Sequence, residues 1–412
     1  MFMRIGINAS FARKGNTGIG QVTLNFLKKL SEVKSEKFQP EADPPGAEKN
    51  KSFEFILYLE ADINLKLPSN FKKIIFLPFW KRDDLIRKIW WEKFLLPRKV
   101  AQDKCDILFS LHQSTTLLPN EVNSRTKNFG ERAKHIMVVH DIIPKLFPEY
   151  LNNFRKKLYW RLTEKSIATA DKIIVNSRRT EKDLIQHLGL DPAKITVAYL
   201  DVDEIYKKDV SEEKSRQIME KYDLVSGYIY TGGGLEKRKN TENLLRAYKM
   251  LLERNQKAYF VHDFPELVVS GKLLPQLAPL VLDVEKLVRE LNLTQHVRIL
   301  DFVPQADLPA IYKNAQLFVY PSLYEGFGLP VLEAMNQGVP VITAKTSSLP
   351  EVGGDSVLYC DPADIEDLAM TIKNALVNKK LRDTLSVRGK ERARHFSWDR
   401  FVEKFLNIIM SS

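Results

Sequence analysis

Residues 320–338 read YPSLYEGFGLPVLEAMNQG, and this stretch decides the fold. An apolar run ends at Tyr320. A loop of Glu325, Gly326, Phe327 and Gly328 follows, and Pro330 then opens a stretch with helical spacing that Gly338 stops. Proline is tolerated in the first turn of a helix because its missing N–H would go unpaired there, and glycine ends helices because it accepts the left-handed conformation. A short apolar strand that turns through glycines into a helix is the unit from which parallel sheets are built. The loop also leaves unpaired N–H groups and the positive end of a helix facing one point, which suits a diphosphate. Glu325 in the loop and Glu333 eight residues on can accept hydrogen bonds from hydroxyls at separate points of one ligand, such as the sugar and the ribose of a nucleotide-sugar. A capping acid and an ordinary surface glutamate would give the same letters, so the stretch alone does not choose.

The same strand–loop–helix pattern recurs outward. Tyr228–Thr231 is strand-like and runs into Gly232, Gly233 and Gly234, then Lys237, Arg238 and Lys239, then a helical stretch at Thr241–Arg254. The glycines let a ligand approach the backbone, and the cations suit phosphate oxygens. The segment is neither a Walker loop nor a G-x-G-x-x-G. Such a cluster is often only solvated surface; its place at the carboxyl end of a strand favours a ligand, because open α/β sheets bind there. Glu266–Ser270, Val297–Leu300, Leu317–Tyr320 and Val339–Thr343 supply further strands of a second sheet. In the first half Met3–Asn8 meets the glycine loop Gly15–Gly20 and the helical stretch Val22–Leu30. Strands are expected at Phe53–Tyr58, Ile74–Phe76, Ile107–Leu111, His135–Val139 and Lys172–Asn176, and helices at Asn153–Ala168 and Arg179–Leu188. His140 and Asp141 end a strand ahead of Pro144, where a histidine either lines a cleft or is satisfied structurally. The break falls near Thr196–Tyr206, and Trp398–Met410 is an amphipathic helix with no strand after it. Ser35–Lys51 and Asn120–Lys134 read as surface insertions.

A chain of 412 residues exceeds one ordinary core, so two domains are expected. Its two cysteines, Cys105 and Cys360, lie far apart, which supports neither a disulfide framework nor a zinc site and points to a reducing compartment. No apolar run reaches the roughly 18 residues of a membrane span, and none at the start resembles a signal peptide; the expectation is cytoplasmic, at the inner face of a membrane if at any. The net charge of +11 is confined to one half: residues 1–203 hold 35 Lys or Arg against 24 Asp or Glu, and the remainder 28 of each. Within that half, residues 71–104 interleave ten basic residues with Phe79, Trp80, Trp90 and Trp91, which suits either a core that takes the tryptophans, with the lysines solvated, or an anionic membrane surface. No nucleic-acid-binding motif accompanies the charge.

Taken together the motifs are specific. YEGFGLPVLEAMNQGVPVI closely resembles the E-x7-E signature of the retaining glycosyltransferases of family 4, and TGGGLEKRKN looks like that family's phosphate-binding element. HDIIP, GIGQ and the late FSW resemble further family features, in the right order over nearly the whole chain. The resemblance implies the GT-B architecture: two Rossmann-like, doubly wound parallel-sheet domains facing across a cleft, residues 1–202 taking the acceptor, 203–396 the nucleotide-sugar, and the helix 397–412 returning to the first domain. It implies that Glu333 binds the ribose, Glu325 touches the transferred sugar, and the backbone of Phe327, Gly328 and Leu329 approaches sugar and phosphates. It further implies that Arg238 and Lys239 neutralise the diphosphate beside Gly233 and Gly234, that His140 lies near the donor sugar and Gly18 near the phosphates. Many relatives carry an arginine directly after the strand's glycine; here that place is Gly233 or Gly234, and Arg238 is the substitute. Asp201-Val202-Asp203 looks like the metal motif of a different glycosyltransferase fold but falls in the linker. No metal and no cofactor are expected. The expected function is transfer of a hexose, best mannose from GDP-mannose, to a saccharide or lipid-linked acceptor. The alternatives are a non-catalytic accessory subunit of the same fold, a UDP-sugar-using transferase or an epimerase.

Overall fold

The computed structural model describes residues 2–33, 52–77, 84–118, 133–257 and 264–411. The insertion expected at Ser35–Lys51 lies outside them, as does all but the last two residues of that at Asn120–Lys134. The chain divides into two compact units, residues 1–200 with 397–412, and residues 201–396.

The first unit holds seven strands: β1 (Phe2–Asn8), β2 (Ser52–Leu59), β3 (Phe71–Ile75), β4 (Ile107–Ser110), β5 (Lys134–Val139), β6 (Lys172–Val175) and β7 (Ile195–Val197). They pair in parallel in the order β3-β2-β1-β4-β5-β6-β7. β4 is buried throughout and β5 everywhere but Lys134, the near-continuous apolar run required of strands covered on both faces. The helix Gly18–Glu32 begins where Thr17 Oγ1 accepts from Gly20 N at 3.2 Å, a side-chain cap for a helix start that would otherwise leave its N–H groups unpaired. The last helix, Trp398–Met410, lays Phe401 and Phe405 against Phe26 of that helix, at ring distances of 5.8 and 5.3 Å, and Phe405 lies 4.3 Å from Phe109 of β4. All four rings are fully buried. Each is worth about 1.5–3 kcal/mol of transfer free energy, so this helix is core rather than appendage.

The second unit holds β8 (Tyr228–Thr231), β9 (Leu267–Ser270), β10 (Val297–Leu300), β11 (Ala315–Tyr320), β12 (Val341–Ala344) and β13 (Leu358–Cys360), parallel, in the order β10-β9-β8-β11-β12-β13. Alternation along the strands separates two faces. Ile229, Leu267, Val269, Leu317 and Val319 pack with Leu244, Leu245, Tyr248, Leu368 and Ile372 of covering helices. Tyr230, Phe318 and Tyr320 point the other way and form an aromatic layer with Tyr312 and Tyr206. In both sheets the strand order reverses beside the first strand, between β1 and β4 and between β8 and β11. At such a switch point the loops beyond the carboxyl ends diverge and leave a crevice for a ligand.

Candidate functional site

The loops after β8 and β11 meet at the switch point of the second unit. After β8 the chain bends through three glycines, each for its own reason. A Cβ on Gly232 would sit 2.6 Å from the Tyr230 hydroxyl and one on Gly233 3.0 Å from Pro330 Cγ, while Gly233 and Gly234 take φ of +91° and +109°. The short 3-10 turn Lys237–Lys239 follows. Its cations are placed differently: Lys237 is exposed, Arg238 half-buried and Lys239 buried. After β11, Ser322 and Glu325 turn inward. Arg238 Nη1 and Lys239 Nζ each lie 2.8 Å from Glu325, one on each carboxylate oxygen. Tyr320 and Ser322 donate their hydroxyls to the same carboxylate at 2.8 and 2.7 Å. Lys239 also donates to the Tyr320 hydroxyl, and Arg238 to the Tyr324 carbonyl at 2.9 Å. Burial alone would raise the Glu325 carboxyl, but Lys239 and Arg238 hold it at about 2. With Glu236 Oε2 3.5 Å from Arg238 Nη2, the cluster holds two cations and two carboxylates, and its cations beside a glycine turn suit an anionic ligand.

Gly328, at φ +121°, starts the helix Leu329–Asn336 with Pro330 as its second residue, and Gly338 at φ +73° follows its end. The Phe327 carbonyl accepts from Ser348 Oγ at 2.6 Å, and the Phe327 ring packs edge-on to Phe396. Leu329 is half-buried at the helix start. Glu333 points into the aromatic layer, where its carboxylate accepts from the Tyr312 hydroxyl at 2.9 Å. Burial raises its carboxyl to about 7.

In the first unit His140 directly follows β5 and is buried. Its Nε2 lies 2.9 Å from the Leu111 carbonyl, which can only accept, so Nε2 carries the hydrogen and Nδ1 keeps its lone pair in the neutral ring. Burial lowers His140 to about 4. Within the loop Gly15–Gly20, the position the fold constrains is Gly20, where a Cβ would sit 2.0 Å from the Lys14 carbonyl; Gly18 is exposed at the helix start, with nothing within 4 Å of such an atom. The segment 71–104 divides: Trp91 is fully buried and stacked on Phe76 at 5.1 Å, whereas Trp90 is 51% exposed in line with Ile86 and Phe94. Phe79 and Trp80 lie outside the described residues. Both acids of Asp201-Val202-Asp203 serve the chain itself: Asp201 pairs with Lys207 at 2.6 Å, and Asp203 caps the turn at Ile205 N at 3.0 Å. Among the described residues no group of three or more His, Cys, Asp or Glu side chains is placed to hold a metal ion.

Sequence reasoning passed over Tyr320, Ser322 and Tyr312, which bind the two signature glutamates. Their only signal is a polar group within or just beyond an apolar strand or helix. It also passed over Glu92 and His112, buried polar residues of the first unit whose pairing is invisible in sequence because 20 residues separate them.

The description Glycosyltransferase Family 4 matches residues 52–204, and Glycosyl transferases group 1 matches residues 214–392. The chain is 30% identical over 404 residues to O-antigen chain mannosyltransferase B of Escherichia coli, covering 95% of each chain. Among solved structures it superposes on WaaG, a glycosyltransferase involved in lipopolysaccharide biosynthesis, with a TM-score of 0.69 at 14% identity. On Anabaena HepE in complex with UDP-glucose the score is 0.68 at 16% identity; both matches cover all of both chains. At these identities the superpositions speak to architecture, the GT-B fold.

Proposed function

The chain belongs to glycosyltransferase family 4, and from that premise we propose that it transfers mannose from GDP-mannose, with retention of configuration, to a saccharide or lipid-linked acceptor in glycan biosynthesis. The mannosyl preference leans on the full-length likeness to an O-antigen chain mannosyltransferase. The observation that carries the reading is the Arg238–Lys239–Glu325 cluster at the switch point of residues 201–396, with Glu333 eight residues further on. In this reading Arg238, Lys239, the backbone at Gly233 and Gly234, and the helix start at Phe327, Gly328 and Leu329 receive the diphosphate. Glu333 takes the ribose hydroxyls and Glu325 a hydroxyl of the sugar. Residues 1–200 serve the acceptor, with Gly18 and His140 at the carboxyl ends of their sheet; His140 offers Nδ1 to a sugar hydroxyl.

The difficult step is departure of the nucleoside diphosphate. The C1–O bond breaks and its electron pair leaves with the phosphate. The acceptor oxygen bonds C1 from the same face, and its proton passes to the departing phosphate oxygen. The two cations and the helix start stabilise the growing negative charge without a metal, and loss of one such contact costs about 2.7–4 kcal/mol by analogy with oxyanion-hole donors. The exposed line of Ile86, Trp90 and Phe94 among basic residues gives this reading a peripheral contact with an anionic membrane, where a lipid-linked acceptor would be met.

Thermal shifts with GDP, UDP, ADP and dTDP, with and without magnesium, test the donor site. Stabilisation by GDP that is independent of magnesium and lost in Glu333→Ala is the expected result. No shift with any nucleotide removes the transferase reading of this site, and an inverted product anomer removes the retaining mechanism.

A further inference from the structure

One helical turn among the described residues is of the π type, Trp91–Leu95, and it carries Glu92. Such turns are rare and occur often at functional sites. Glu92 is completely buried, and a carboxylate there costs several kcal/mol unless it is partnered. Its shortest hydrogen bonds come from one loop. Thr115 N and Oγ1 donate to one oxygen at 2.8 and 3.1 Å, and His112 Nε2 lies 3.0 Å from the other. Lys88 Nζ is 3.7 Å away, and the Tyr159 hydroxyl donates at 3.5 Å. Burial pushes the Glu92 carboxyl up, but Lys88, His112 and Thr115 outweigh it and hold the group below its ordinary range. It is an anion at neutral pH.

The loop that Glu92 fastens, residues 112–115 just beyond β4, also holds His140. The Leu111 carbonyl accepts from His140 Nε2 at 2.9 Å, Gln113 Oε1 accepts from His140 N at 3.3 Å, and Gln113 Nε2 donates to the Asp141 carbonyl at 3.4 Å. The first of these bonds decides which ring nitrogen of His140 bears the hydrogen. A glutamine at position 92 has one acceptor oxygen where the carboxylate has two, so it keeps the Thr115 donors only if its NH2 faces His112, whose Nε2 must then accept in the other tautomer; the charge-assisted hold on the loop is lost in either case.

We propose that Glu92 is a positioning residue that fixes the tautomer and ring orientation of His140 through the loop 111–115, an assignment that rests on the reading of His140 as a group that meets the sugar. Glu92 itself touches no substrate. It makes His140 Nδ1 a pure acceptor aimed in one direction.

Long-range proton–nitrogen correlation spectra of the full chain labelled with 15N-histidine read the tautomer without any ligand, the His140 signals being assigned by their loss in His140→Gln. In the wild type at pH 7, Nε2 is protonated and Nδ1 bare. In Glu92→Gln the His140 signals move toward the averaged positions of exchanging tautomers. Gln113→Ala leaves the buried carboxylate in place and alters a half-buried residue, so it gives the same change even where Glu92→Gln does not fold. Release of GDP from GDP-mannose falls roughly 10–100-fold in Glu92→Gln, by analogy with the partners that orient a metal-binding histidine, and by less than about twofold when His140→Gln is already present, because linked residues are not additive. Unchanged His140 signals in a folded Glu92→Gln overturn the assignment, as do unchanged signals in Gln113→Ala where Glu92→Gln does not fold. Altered signals together with full turnover in His140→Gln uphold the positioning and remove instead the role proposed above for His140.

Discussion

Replacing Glu325 by glutamine takes away the buried anion that both cations share and leaves Arg238 only Glu236, 3.5 Å away and 37% exposed. In the folded protein the carboxyl is held at about 2 instead of 4.5, so its ionised form is favoured by ~3 kcal/mol. A lowered carboxyl contributes stability above its unfolded value. The contribution is complete at neutral pH and is lost as pH falls from about 4.5 toward about 2. Glutamine cannot supply it, and Lys239 and Arg238, only 8% and 12% exposed at their side chains, are left with no countercharge of equal strength. Breaking a buried pair from one side costs about 3–5 kcal/mol. For a unit of this size each kcal/mol moves Tm by about 2–4 °C, so unfolding of residues 201–396 comes about 6–20 °C lower than in the wild type. A diphosphate would restore the missing anion. GDP or inorganic pyrophosphate at a hundredfold excess over its Kd returns ~2.7 kcal/mol, and the shift it causes is larger in Glu325→Gln than in the wild type, although the variant no longer transfers sugar. The measurement is a melting series at pH 7.5 with and without each anion. A variant as stable as the wild type refutes the buried cluster, and a variant that gains less from pyrophosphate than the wild type refutes the idea that Glu325 and phosphate compete for the same cations.

Burial raises Glu333 to about 7, so the folded state favours its proton. The stability this group contributes is complete below about pH 4.5 and is lost as pH rises through about 7, by ~3 kcal/mol in all. Glu333→Gln therefore melts above the wild type at pH 8 and level with it at pH 5, and parallel pH curves for the two proteins would rule this out. Gly328→Ala combines a φ of +121° with a Cβ 2.9 Å from Leu349 Cδ2 and loses about 1–3 kcal/mol in urea unfolding, whereas Gly18→Ala, with open space around its Cβ, is neutral or slightly stabilising. Flotation with phosphatidylglycerol-containing vesicles tests the membrane contact: the wild type binds at low salt, added salt weakens the binding, and Trp90→Ala with Phe94→Ala reduces it further. A wild-type protein that stays in solution at low salt defeats that contact.

Strand–loop–helix punctuation made both sheets legible, because glycine and proline mark places where backbone geometry has few alternatives. Gly338 takes the positive φ that its place at a helix end suggested, and Gly328 takes one as well. The short edge strands β7 and β13 were not legible, since three residues carry no period, although each pairs with the strand just before it in the chain. Which tryptophan is buried was equally hidden. Trp90 and Trp91 are adjacent and chemically identical, and only the π-turn and Phe76 decide that Trp91 enters the core. At the site, the resemblance to family 4 singled out Arg238, Lys239, Glu325 and Glu333 and implied that the cations meet a ligand. The structure also joins Arg238 and Lys239 to Glu325, 87 and 86 positions away, an ion cluster that no local pattern encodes.

Glu325 and Glu333 are the same side chain within one short motif, both buried, yet their carboxyls are driven to about 2 and about 7. Burial raises both. What separates them is the second influence: two cations within 2.8 Å for Glu325, and for Glu333 chiefly a tyrosine hydroxyl at 2.9 Å in an aromatic layer. Environments that push two like groups apart give them different tasks. Glu325 is an anion at every pH the protein would meet, so it can hold cations and accept hydrogen bonds but can neither give nor take a proton. Glu333 changes charge near neutrality, and it becomes a full acceptor only when something polar improves on Tyr312. Vicinal hydroxyls entering beside it would do so, lowering its carboxyl as they bind. A ligand that brings hydroxyls to Glu333 therefore releases a fraction of a proton near pH 7, whereas one that reaches only the Glu325 cluster releases none from either glutamate. Pyrophosphate and GDP differ in that respect, and calorimetric titration of each in buffers of different ionisation enthalpy separates the two glutamates by function.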